Sequence, residues 1–299
     1  MNRVLKTTLV LSLIASINIS CNKDDDGENP SETTNTLNLN INGLEDLGSD
    51  FVYEGWIMIN GTPITTGRFS VNGNGELSES NFVLDESQLD IATAFILTIE
   101  PAIGDVPEPS NTHILAGDFS GDSGNMNISH SAALGSDFTS SQGKFILATP
   151  STTSMSDENE GVWFLDNSSG SPMESMTLPT LPAGWIYEGW AIIDGKPISS
   201  GKFLNSNMAD LDNNPYKGPN GTPPFPGEDF IMGMANGVDL SLAQPITKVV
   251  LSIEPIDDNS PAPFTLKPLL SADLTSTSPT HTPINLQQNL NFPTGSFSR

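Results

Sequence analysis

The chain has a single cysteine, Cys21, in 299 residues. One thiol excludes any internal disulfide, so no covalent staple holds the fold. Histidine is nearly as scarce: His113, His130 and His281 are scattered and have no second ligand at short spacing, so a metal site lacks its parts. There is no Gly-x-Ser-x-Gly elbow, phosphate loop or dinucleotide fingerprint, and no base beside a nucleophile. The reading is therefore a non-enzyme without a cofactor. Basic residues are few as well, 11 Lys and Arg against 36 Asp and Glu, for a net charge of -25. That excludes nucleic acid as a partner, because a phosphate backbone is held by Lys and Arg. It also excludes electrostatic docking on anionic lipid, and leaves weak divalent-cation binding open. Helix-period apolar patterns are nearly absent after the first twenty residues, and no later run is apolar and long enough to cross a membrane.

What is present begins at the N-terminus. Arg3 and Lys6 precede an apolar stretch, Thr7 to Ile19, which ends at Ser20-Cys21. This is the order of an export signal, with an apolar stretch too short for a finished membrane helix. The arrangement resembles a bacterial lipobox, although Asn18 stands where an aliphatic residue is usual. The resemblance implies that Cys21 is lipidated (palmitate among its acyl chains) and becomes the new N-terminus. Ordinary cleavage nearby, leaving a free thiol, is the alternative. Removing residues 1–20 takes away Arg3 and Lys6 and no acid, so -25 becomes -27. Residues 21–35 are polar and acidic, too poor in apolar surface to order themselves, and read as a disordered tether. Lys23-Asp24-Asp25 beside the cysteine resembles the surface-export signal of Bacteroidota-type lipoproteins. That implies an outer-membrane lipoprotein on the cell surface, with the periplasmic face as the alternative.

The body of the chain repeats. Tyr53-Glu54-Gly55-Trp56 recurs as Tyr187-Glu188-Gly189-Trp190, and Gly67-Arg68-Phe69 as Gly201-Lys202-Phe203, both offset by 134 (187 minus 53, 201 minus 67). Ile99-Glu100-Pro101 recurs as Ile253-Glu254-Pro255, offset by 154 (253 minus 99). The difference locates an insertion in the second copy at about 205–237. Asn60-Gly61 and Asp194-Gly195 are hairpin signals. Around them lie strand-like runs, Phe51 to Ile59 and Trp185 to Ile193. Ala94 to Glu100 and Lys248 to Glu254 alternate, with Phe95, Leu97, Ile99, Val249, Leu251 and Ile253 facing a core. The expected fold is all-β: two tandem, duplicated antiparallel β-sandwich domains, 36–168 and 169–299, after a signal peptide, 1–20, and the tether.

The set Tyr-x-x-Trp, a Gly-x-Pro turn, Gly-x-Phe, and an apolar strand ending in Glu-Pro before a Pro-rich loop resembles the C-terminal extracytoplasmic domain of anti-sigma-K factors. It covers roughly 37–119 and 178–274. The resemblance implies a β-sandwich. It does not imply sigma-factor binding, which rests on a cytoplasmic part that this chain lacks.

Glu54, Glu100, Glu188 and Glu254 recur, and could form a glycosidase pair. Arg68 and Lys202 fall at the same place in each copy, which favours cross-strand ion pairs worth about 0.2–1 kcal/mol. Trp56, Trp163, Trp185 and Trp190 read as core rather than as sugar-stacking platforms. Asp118 to Gly124 reads as a turn, since the calcium-loop pattern is incomplete. In the insertion, Tyr216, Phe225, Glu228, Asp229 and Phe230 form a possible binding loop, because long loops on rigid sandwiches often bind. The functional expectation is a non-catalytic envelope module that binds an unknown protein or glycan, or serves structurally. An envelope sensor is the alternative, and a carbohydrate-active enzyme is the weakest reading.

Overall fold

The hairpin turns form where residues that tolerate positive φ adjoin glycine. Asn60 and Gly61 have φ of 52° and 81°, and Asp194 and Gly195 have 50° and 69°, the sign that a type I′ turn needs at both central positions. The computed structural model describes residues 33–212, 214–242 and 244–299. The expected signal peptide, Cys21 and most of the expected tether lie outside the described residues. The tether was expected to reach Asn35, but the first strand already includes Thr34 and Asn35, which pair with Asp85 and Leu84.

In chain order the elements begin with β1 (Thr34–Asn42), β2 (Phe51–Ile59), β3 (Thr62–Phe69), β4 (Asn81–Asp85), α1 (Glu86–Ile91), β5 (Ala94–Pro101), β6 (His113–Asp118) and β7 (Ser123–Asn127). Four short strands follow: β8 (Lys144–Leu147), β9 (Gly161–Trp163), β10 (Leu165–Asp166) and β11 (Met173–Glu174). Then come β12 (Trp185–Ile193), β13 (Lys196–Phe203), β14 (Gly227–Asp229), β15 (Met234–Ala235), β16 (Val238–Asp239) and β17 (Ile246–Pro255). The chain ends with β18 (Leu269–Leu270), β19 (Ile284–Asn285), β20 (Gln287–Gln288) and β21 (Thr294–Ser298). The described chain is all-β with antiparallel sheets, apart from α1. Asp85 starts that helix by accepting the Gln88 N–H at 3.1 Å, the usual service of an aspartate cap.

The first sheet has eight strands in the order β3-β2-β5-β6-β7-β21-β1-β4. It curls until its two edges approach, where Phe69 of β3 lies 6.1 Å from Phe82 of β4. A single folded-over sheet thus takes the place of two separate layers. In the second half, the five-stranded sheet β13-β12-β17-β18-β20 packs on the four-stranded sheet β14-β9-β8-β19, with Phe164 lying 6.3 Å from Phe203. Phe95, Leu97, Ile99, Val249, Leu251 and Ile253 belong to one connected apolar core that runs through both halves.

Sheet membership crosses the expected boundary at 168/169 in two places. Strands β8 and β9, from the first half of the chain, pair with β19 and β14 of the second. Strand β21, at the C-terminus, lies between β1 and β7 of the first sheet. Phe297 stands between Leu39 and Gly124, and its ring is 5.4 Å from Phe95 and 4.7 Å from Phe119. Gly124 makes room for that ring, since any Cβ there would collide with it. The two segments exchanged between halves, Gly143-Lys144-Phe145 and Gly295-Ser296-Phe297, are themselves alike in sequence.

Candidate functional site

Beside each hairpin, on the sheet face away from the main core, the recurring polar residues converge. Glu54 stands opposite Arg68 and Glu188 opposite Lys202. The Arg68 Nε lies 3.1 Å from Glu54 Oε2, and Lys202 Nζ lies 3.8 Å from Glu188 Oε2. A hydroxyl occupies the other carboxylate oxygen in both places: Thr65 Oγ1 donates to Glu54 Oε1 and Ser199 Oγ to Glu188 Oε1, each at 2.5 Å. The cations also reach past Glu-Pro. Arg68 donates to the Pro101 carbonyl at 2.5 Å and to Asp105 Oδ2 at 3.0 Å, and Lys202 donates to the Asp258 carbonyl at 2.5 Å. Each basic side chain therefore ties a strand to the Pro-rich loop as well as to its carboxylate.

The second recurring carboxylate lies deeper. Trp56 Nε1 donates to Thr98 Oγ1 at 2.9 Å, and Thr98 Oγ1 donates to Glu100. Trp190 Nε1 donates to Ser252 Oγ at 2.8 Å, and Ser252 Oγ donates to Glu254. Glu100 then accepts the Ser110 N–H at 2.8 Å and Glu254 the Phe264 N–H at 2.9 Å. Each buried glutamate thus anchors the loop that follows it by a backbone donor ten residues on. The intermediary hydroxyls, Thr98 and Ser252, escaped the sequence reading because threonine beside the first Glu-Pro is serine beside the second. Their matched positions, offset by 154, were the signal available.

Burial sets the protonation of these acids. It pushes Glu188 up to about 7, with Ser199 and Lys202 offsetting part of the shift. It pushes Glu254 up to about 8, against hydrogen bonds from Ser252 and Phe264, and raises Glu100 as well. Between the ordinary carboxyl value of 4.5 and these raised values, the folded chain holds protons that the unfolded chain has released. The stability that these protonated glutamates contribute is then fully present below about pH 4.5 and falls as pH rises towards about 8. The melting temperature is expected to fall by several degrees between about pH 5 and pH 8, at roughly 2–4 °C per kcal/mol. Glu254→Gln is expected to flatten that fall. Calorimetry of both chains across this range checks it, and an unchanged slope in the variant would refute the assignment.

The tryptophans do not form a platform. Trp56, Trp163, Trp185 and Trp190 are all 2 % exposed or less. Nor do the histidines gather. His113 Nδ1 lies 2.8 Å from the Ala132 carbonyl, His130 Nε2 3.4 Å from Asp118, and His281 Nε2 2.9 Å from Glu158. Among the described residues no group of three or more His, Cys, Asp or Glu is placed to hold a metal ion. Asp118 to Gly124 is a tight turn between β6 and β7, closed by the Ser120 N–H on the Ser123 carbonyl at 2.7 Å.

The insertion is partly core. Glu228 and Asp229 lie in β14, paired with β9, and with Phe230 they are buried. Those three residues are therefore not part of an exposed binding loop, as the sequence suggested. Strand pairing with β9 draws them in, and their polar atoms find partners there. Asp229 accepts Trp163 Nε1 and the Ser151 N–H, each at 2.8 Å, and the Ser151 hydroxyl. Burial pushes Glu228 up to about 8. Phe225 packs beside Trp163 and Leu165. Only Tyr216 stays at an opening, stacked on Phe230 at 6.4 Å.

That opening is a cleft of about 340 Å³, lined by Glu188, Lys202, Asp212, Tyr216, Asn236 and Asp258, among others. It exists because the insertion folds back beside β12 and β13: Asn236 Nδ2 bonds the carbonyls of Pro197 at 3.0 Å and Pro261 at 3.1 Å. The structure thus joins Glu188, Lys202 and Tyr216 in one place and removes Phe225, Glu228, Asp229 and Phe230 from it. No protein-family model, curated protein or solved structure matches this chain. The cleft's chemistry is that of its own lining: carboxylates, amides and one amine around a phenol, suited to hydrogen-bonding a polar ligand.

Proposed function

We propose that the chain is an exported lipoprotein, held at a bacterial envelope through Cys21, and that its body is a duplicated, non-catalytic binding module. The cleft beside Glu188 is the ligand-facing surface. The observation that carries the non-catalytic reading is that the four recurring glutamates are each bound to neighbours within the chain, two by a cation and a hydroxyl, two by a hydroxyl and a backbone N–H. A glycosidase needs two carboxylates facing the substrate, and of these four only Glu188 lines the cleft. The anchor reading rests on the order of basic, apolar and small residues before Cys21. Several acyl chains give firm attachment, since each buried methylene contributes about 0.8 kcal/mol.

The partner is an envelope protein or glycan, and the likeness to anti-sigma-K extracytoplasmic domains supports a sensing role as a second reading. Metabolic labelling with an alkyne fatty acid tests the anchor. The wild-type chain should take up label and sediment with membranes, and Cys21→Ser should do neither. An unlabelled wild-type chain would refute it. Protease treatment of intact cells separates surface display, in which the chain is digested, from the periplasmic face, in which it is protected.

A further inference from the structure

A second cavity, of about 230 Å³, lies at the seam between the two halves. The turn after β1 supplies Glu45, Asp46 and Leu47, and β2 and β5 supply Phe51 and Ile99. The loop after β17 supplies Asp258, Ser260 and Phe264. Its walls are preformed. Phe264 is held by its N–H on Glu254 at 2.9 Å and lies 6.0 Å from Trp185. Tyr53 holds the opposite turn by donating to the Glu45 carbonyl at 3.0 Å. Thr265 Oγ1 closes the seam by donating to the Gly43 carbonyl at 3.0 Å.

The cavity combines apolar walls with acidic groups and, among the described residues, has no basic side chain in its lining. Its volume suits a molecule of one ring and a short chain, since an apolar cavity of about 150 Å³ already holds benzene. A concave, mostly apolar site with a few convergent polar groups is the usual form of a small-molecule site. An anion would be repelled by Glu45, Asp46 and Asp258, and a neutral apolar molecule would leave Glu45 desolvated without compensation.

We propose that this seam cavity binds a small hydrophobic amine, its apolar body against Phe51, Ile99 and Phe264 and its ammonium at Glu45. The local electrostatics agree. Burial pushes Glu45 up to about 7; Lys267 and the Thr265 N–H lower it, while Asp258 and Asp46 raise it further. Lys267 is itself shifted down by burial, and no ion pair within 4.0 Å joins it to Glu45 among the described residues. Lys267 acts on Glu45 only from beyond ion-pair distance, and an ammonium in the cavity supplies a closer cation.

Calorimetric titration of the purified chain with 2-phenylethylamine, at about pH 8 where Glu45 is ionised, tests the proposal. Saturable single-site binding is expected, weakened about tenfold or more by Glu45→Gln. The neutral analogue 2-phenylethanol should bind about tenfold more weakly or worse, and 3-phenylpropionate should not bind. Ser260→Trp, at the exposed rim, should block the amine whatever the state of Glu45. Absent or unsaturable binding of the amine overturns the proposal. So does equal binding by the plugged chain, by Glu45→Gln, or of the alcohol.

Discussion

Deleting the last strand, residues 294–299, is expected to unfold the first sheet rather than trim a terminus. Among the described residues, strand β21 is the only link in that sheet between β7 and β1. Each of its residues from Thr294 to Ser298 pairs on both sides, with Asn127 to Ser123 and with Asn42 to Asn38. Its loss exposes two rows of backbone donors and acceptors at once. It also removes Phe297, which is 1 % exposed, and the Arg299 guanidinium that bonds the Leu89 carbonyl at the end of α1. Replacing Phe297 alone by alanine should cost about 3–5 kcal/mol, a large share of the roughly 5–15 kcal/mol that holds an ordinary domain together. Urea unfolding followed by near-UV dichroism checks the magnitude. Hydrogen exchange locates it: protection should vanish in 34–42 and 123–127, far from the deletion in sequence. A truncated chain that keeps that protection would refute the account. By the same pairing, fragments 36–168 and 169–299 expressed apart should each fail to fold cooperatively, because each lacks strands supplied by the other.

Asp229→Ala should have the second largest effect. The carboxylate is 0 % exposed and accepts three donors: Trp163 Nε1, the Ser151 N–H and the Ser151 hydroxyl. The Ser151 hydroxyl oxygen in turn accepts the Gly218 N–H at 2.7 Å. One side chain thus ties the loop after β8 and the strand β9 to the insertion. Burial raises Asp229, and the hydrogen bonds from Ser151 and Trp163 work against that rise. Alanine leaves three buried donors without an acceptor, at about 1–3 kcal/mol each, so a loss on the order of 4 kcal/mol is expected. Asp229→Asn, which keeps one carbonyl acceptor, should lose less. Denaturant titration gives the values. Faster exchange confined to 214–231 would show that the insertion is released first, and an unchanged midpoint for the alanine variant would sink the idea.

Much of the local structure is legible in the sequence, for reasons that can be named. Asn60-Gly61 and Asp194-Gly195 mark hairpins because few residues other than Asn, Asp and Gly accept positive φ there. Alternation in 94–100 marks a core face because successive side chains point to opposite sides of a strand. The binding-loop reading of 216–230 failed on Glu228, Asp229 and Phe230 for an equally physical reason. Two adjacent acids in a Pro/Gly-rich run look solvated, but strand β9 offers a backbone ladder, and Trp163 and Ser151 offer donors, from more than sixty residues away. The Thr98 and Ser252 relays were hidden because a hydroxyl is shared where the residue type is not.

The sequence by itself determined the all-β character, the positions of the long strands and turns, and the recurrence of paired carboxylates and cations. These depend on neighbours within a few residues, through turn conformations and side-chain alternation. Only the tertiary structure decided that β21 completes the first sheet, that β8 and β9 serve the second half, and that the insertion walls a cleft beside Glu188. A strand edge offers the same N–H and C=O groups whatever its side chains are. Its partner is therefore chosen by how the whole chain buries its apolar surface, as Phe297 does between Phe95 and Phe119.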